Sequence, residues 1–148
     1  MGNKLLTAAL VAGLSATAMI VAPSAGAADS PTWCGSWLAN PAKATNVSPV
    51  SGTQTNVGGS TYIRVNQGTY NGKWFAWAKM YNEGADVVAL IWVNQADKAI
   101  YQCGSRDGSS GWSGDSYTAG VDDAHAYKVQ AKYRHSQVVV YGPAVVWR

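Results

Sequence analysis

The 148 residues carry eleven Lys and Arg against eight Asp and Glu, a formal charge of +3. The basic residues are dispersed, which excludes the clustered cationic surface that tracks a nucleic-acid backbone. Seven Trp and eight Tyr stand against one Phe, and these amphipathic rings suit both small cores and contact surfaces.

Residues 1–27 read as a secretory signal peptide. Lys4 supplies the positive start, 5–21 is an apolar run, and Ala25-Gly26-Ala27 has the small-x-small form cut by signal peptidase. Thr7, Gly13, Ser15 and Thr17 dilute the run, whereas a membrane-spanning helix needs about 20 strongly apolar residues. No later stretch is apolar enough to span. Cleavage after Ala27 leaves 121 residues with a charge of +2, the size of one domain.

Export places Cys34 and Cys103 in an oxidising compartment and predicts a disulfide between them. Neither His nor Lys adjoins Cys34, so nothing local would activate it as a reactive thiol.

Residues 28–60 are rich in Pro, Ser, Thr, Asn and Gly. Pro31, Pro41 and Pro49 exclude a continuous helix or a central strand. This stretch is expected to be an irregular arm tied down by Cys34, with Trp33 and Trp37 packed on the body. From 61 to 148 the pattern is β. Residues 61–66 alternate, and Asn71-Gly72 is a hairpin signal. In the next strand Trp74, Ala76, Ala78 and Met80 share one face, and Phe75, Trp77, Lys79 and Tyr81 the other. Residues 86–93 read as a central buried strand. A short strand over 99–103 pairs back on it, and 104–116 reads as a loop. Residues 122–133 are tolerant of helix, but His125, Tyr127, Val129, Ala131 and Tyr133 alternate with polar residues, which favours a strand. Residues 137–141 and 144–147 complete the set. The fold expected is all-β: a small antiparallel sandwich or closed barrel of six to eight strands, with an irregular N-terminal arm and one disulfide.

No catalytic constellation is readable. His125 and His135 are the only histidines and lack a third ligand nearby, so neither a metal nor another cofactor is expected. The serines form no Gly-x-Ser-x-Gly elbow. Asp122-Asp123 reads as a turn-forming, solubilising pair.

Binding chemistry remains. Trp112 lies amid Ser and Gly in the 104–116 loop, which also carries Arg106. Trp74 and Trp77 point to opposite sheet faces, so one must lie outside or beneath the arm. Tyr70 and Tyr81 flank that strand. Trp112, Trp77, Trp74, Tyr70, Tyr81 and Arg106 are therefore the candidate contact residues. The reading is a secreted, non-enzymatic binding protein whose exposed aromatics hold a glycan or another secreted protein. A protease-inhibitor-like protein or an adaptor subunit of a secreted assembly is the alternative, and a small secreted hydrolase a further one. The style is that of a small exported bacterial domain. No motif assigns a named family, and nothing in the pattern sets an oligomeric state.

Overall fold

The computed structural model describes residues 31–34, 38–82, 87–107 and 116–148, with 104–107 described through their backbone alone. The stretch read as a signal peptide (1–27), Trp37, residues 83–86 and Trp112 lie outside the described residues.

The strands run in chain order β1 (Thr45–Pro49), β2 (Thr55–Gly58), β3 (Thr61–Tyr70), β4 (Lys73–Tyr81), β5 (Val87–Asn94) and β6 (Ile100–Asp107). They continue with β7 (Ser116–Tyr117), β8 (Val121–Asp122), β9 (Ala126–His135), β10 (Val138–Tyr141) and β11 (Val145–Val146). They form two antiparallel sheets packed face to face, not closed into a barrel. The first has the order β1-β3-β4-β7, with β2 also on β3 and β8 also on β4. The second has the order β10-β9-β5-β6, with β11 also on β9. Residues 122–133 are mostly strand, as their period-two pattern indicates, and no α-helix occurs among the described residues.

The β3–β4 hairpin organises the first sheet. Asn71 and Gly72 both take positive φ, 48° and 74°, and Tyr70 pairs with Lys73 across the turn. That geometry matches the twist of the flanking strands. The inward residues follow the alternation of the sequence. Ile63, Val65, Ala76, Ala78 and Met80 face Val88, Leu90, Trp92, Cys103, Val129 and Ala131 across the core. Trp147 closes one side, its indole N–H donating to Gln67 Oε1 at 2.8 Å.

The stretch expected to be an irregular arm is more ordered than its composition suggests. It supplies β1 and β2, both as edge strands, where Pro49 is tolerated. Likewise the stretch expected to be loop from 104 begins as strand, because β6 runs on to Asp107.

Each edge of the first sheet is broken into two short strands, and a buried threonine fills each break. Between β1 and β2, Thr53 Oγ1 accepts from the Val65 amide at 3.0 Å and donates to the Val50 carbonyl at 2.7 Å. Between β7 and β8, Thr118 Oγ1 accepts from the Ala78 amide at 3.1 Å and donates to the Ala119 carbonyl at 2.8 Å. Both side chains are fully buried. A hydroxyl thus replaces the missing ladder partner of a core strand.

Upstream, residues 38–44 cross the outer face of this sheet. Leu38 and Gly120 exchange backbone hydrogen bonds at 3.1 and 2.9 Å. A short 3-10 turn (Pro41–Lys43) follows, capped by Asn40, which also accepts from the Tyr117 hydroxyl. Trp77 is buried beneath this crossing. A Cβ added at Gly68 would fall 3.1 Å from the Trp77 ring, 3.2 Å from Ala44 Cβ and 2.9 Å from the Thr45 carbonyl. Only glycine lets the arm lie this close.

Replacing Thr53 or Thr118 by Val keeps the shape but leaves a buried amide unpaired. Each change is expected to cost about 1–3 kcal/mol, read as a shifted denaturant midpoint at unchanged slope. Cys34 and Cys103 are joined across 69 residues. Their replacement by Ala is expected to cost about 4 kcal/mol on the loop-entropy model, measured in the same way.

Candidate ligand-binding site

The site grows from one buried indole. Trp92 sits fully buried on β5, so its ring N–H must find a partner inside the protein. It donates to the Trp33 carbonyl at 2.7 Å. The segment bearing Trp33 is fixed on the edge of β6 by the Trp33 amide to the Gln102 carbonyl, 3.1 Å, and the Gln102 amide to the Pro31 carbonyl, 3.0 Å. The next residue, Cys34, is bonded to Cys103. Backbone, indole and disulfide therefore hold Trp33 at consecutive positions.

With its backbone held, the Trp33 ring has one place to go. The residue stays 38% exposed, and its ring rests against three other rings. Trp92 lies 5.1 Å away at 44°, Tyr101 4.9 Å away at 74°, and His125 5.3 Å away at 82°. Trp92 and Tyr101 also touch, at 5.1 Å. An aromatic cage needs its rings spread around the guest, each within about 6 Å of the cation. Here the rings pack directly on one another, at 4.9–5.3 Å between centroids, so they form a closed cluster and not a cage.

Polar groups rim it. Asp122 ends β8 and is 1% exposed. Its Oδ1 lies 2.6 Å from Nδ1 of His125, whose side chain is 35% exposed. Asp122 Oδ2 is buried without a hydrogen-bond partner. The β5–β6 turn is clamped to this corner, the Gln95 amide donating to the His125 carbonyl at 2.8 Å and Gln95 Nε2 to the Asp123 carbonyl at 2.6 Å. On that turn Asp97 accepts from the Ala99 amide at 2.8 Å and from the Tyr101 hydroxyl at 3.0 Å. The Ala99 amide and then the Tyr101 hydroxyl hold the Asp97 carboxyl below its usual range, and the bond to Asp97 raises the Tyr101 phenol.

The chain matches no known family, curated protein or solved structure. The chemistry of the site is therefore read from its geometry.

The candidates read from the sequence are scattered over the molecule. Trp77 offers no ring face to a ligand, at 4% exposure under the arm. Trp74 packs half-buried against the core, with the Arg148 guanidinium 4.0 Å over its ring. Tyr70 lines a shallow recess of about 410 Å³ with Lys43, Thr45, Thr69, Asn71 and Gly72. Tyr81 stacks on Tyr62 at 4.6 Å and 9°, and its hydroxyl accepts from Arg64 and Asn66, both at 2.8 Å. Arg106 is described only through its backbone, paired with Val88, and Trp112 lies outside the described residues. Asp122, expected to be a solubilising turn residue, is instead buried against His125.

Trp33 and His125 were not among those candidates. The one available signal was the position of Trp33 beside Cys34, since a residue next to a disulfide has little freedom to follow its side chain inward. The partnership of His125 with Asp122 spans a turn whose conformation no periodicity reveals.

The Asp97–Tyr101 bond predicts opposite titrations. Asp97 contributes stability above the usual carboxylate range, lost as pH falls through its lowered pKa. Tyr101 contributes below the usual phenol range, lost as pH rises through its raised pKa. NMR titration is expected to show both displacements, and Asp97→Asn to return Tyr101 toward the ordinary phenol value.

Proposed function

We propose that this chain is an exported, non-enzymatic binding protein that holds a glycan by stacking a sugar ring on Trp33. One observation carries the reading: a tryptophan more than one-third exposed, yet anchored through its own backbone, the adjoining disulfide and three neighbouring rings. Large aromatic side chains such as Trp carry much of the energy where a protein surface binds a partner. A flat aromatic face complements the apolar face of a pyranose, and its rigidity lowers the ordering cost of binding. The disulfide suits an oxidising, extracellular setting. No helix among the described residues is long and apolar enough to cross a membrane.

The Asp122–His125 pair does not by itself favour a hydrolase. Among the described residues the partners of His125 are the Asp122 carboxylate, the Trp33 ring and backbone groups of the adjoining turns, with no hydroxyl nucleophile at Nε2. A protein partner is a second reading, favoured by the edge strand β10. Val138 and Val139 are exposed there, with no charge or proline to discourage strand addition.

The test is retention of the full, disulfide-bonded chain on insoluble chitin, cellulose and peptidoglycan. Trp33→Ala is expected to weaken retention at least about tenfold, or about 1.4 kcal/mol, and Val138→Thr to leave it unchanged. Retention unaffected by Trp33→Ala would overturn the stacking reading. Loss on Val138→Thr alone would favour strand pairing.

A further inference from the structure

Resting on the glycan reading, we propose that His125 Nε2 is the group that recognises a ring hydroxyl of the sugar held on Trp33, and that Asp122 is its positioning residue. The pair then sets which neutral, hydroxyl-bearing sugar the platform accepts.

Three observations combine. First, Asp122 is 1% exposed, and burying a carboxylate is costly unless it is paired. An Asp serving only to form a turn bonds the backbone amide two residues on. Asp122 does not: Oδ1 meets the His125 imidazole at 2.6 Å, and Oδ2 meets nothing. The carboxylate is spent on orienting one ring.

Second, that contact sets the other nitrogen. In the tautomer we propose, Nδ1–H donates to the carboxylate and Nε2 of the uncharged ring is an acceptor. Among the described residues Nε2 has no hydrogen-bond partner, while the side chain is 35% exposed. A directed acceptor is left for something outside the fold.

Third, it is left beside the platform. The imidazole stands at 82° to the indole with centroids 5.3 Å apart. A sugar lying on an aromatic face carries its hydroxyls around its rim, and one stacked on Trp33 would bring that rim toward the imidazole. Stacking alone is tolerant of the sugar, because any apolar ring face serves. One oriented acceptor discriminates, because a hydroxyl of the wrong stereochemistry leaves it unpaired.

The experiment takes the glycan that retains the full chain and measures affinity for its soluble fragments. It compares Trp33→Ala, His125→Phe, His125→Gln and Asp122→Asn with the unaltered protein. The two-bond 1H–15N spectrum of His125 is recorded alongside. The expected results are a bare Nε2 in the unaltered protein and about tenfold weaker binding for His125→Phe. His125→Gln, which restores an acceptor near the Nε2 position, is expected within about threefold. Asp122→Asn is expected to change the His125 nitrogen shifts and to narrow the preference between epimeric sugars. Unaltered affinity in His125→Phe, with binding still lost in Trp33→Ala, would overturn this inference and leave the platform standing. A proton on Nε2 in the unaltered protein would overturn it too, even if the variants failed to fold. Unaltered binding in Trp33→Ala, or retention on no glycan, would overturn the platform reading and this inference with it.

Discussion

The indole N–H of Trp92 is the constraint from which the rest of the site follows. It lies at the centre of the second sheet, beyond the reach of water, where an unpaired donor costs about 1–3 kcal/mol. The Trp33 carbonyl satisfies it. That single bond holds the segment before Cys34 along the edge of β6, and the disulfide fastens the chain immediately afterwards. A core requirement thereby leaves the Trp33 side chain outside.

The two sheets solve their exposure problems differently. The first is covered by its own upstream chain. Leu38 crosses at Gly120 beside Phe75, and the Pro41–Lys43 turn passes on to Ala44 at Gly68, beside Trp77. Its interrupted edges are sealed by the hydroxyls of Thr53 and Thr118. The second sheet carries a shorter cover at one edge and leaves Val138 and Val139 of β10 open at the other. Among the described residues Trp92 is thus absorbed into the core, Trp77 lies under the arm, and Trp33 stands exposed beside Tyr101 and His125.

Rigidity and exposure coincide at that end, and this gives the platform its chemical character. The Gln95 clamp ties the β5–β6 turn to the turn before β9, so the groups around Trp33 belong to one braced corner. Asp97 and Tyr101 satisfy each other, while His125 keeps one nitrogen uncommitted. A braced ring beside one uncommitted polar group suits the proposed recognition of a sugar, which would need neither a deep cavity nor a mobile lid.

Much of the architecture was legible from the residues alone. Alternation along 73–81 assigned Trp74 and Trp77 to opposite faces, Asn71-Gly72 located the central hairpin, and the lone pair of cysteines identified the disulfide. These are local or combinatorial properties, set by side-chain period, backbone φ or the absence of alternative partners. The cover over Trp77, the strands hidden in the Pro-rich arm and the burial of Asp122 were not legible. The cover over Trp77, the pairing of β1 and the burial of Asp122 depend on contacts between segments far apart in the chain, while β2 pairs through a short turn, and composition reports only that such residues tolerate irregular backbone. The site divides the same way. An excess of indole over available interior was evident in the sequence, but that Trp33 is the exposed one among the described tryptophans was decided by where the Trp92 N–H found its carbonyl.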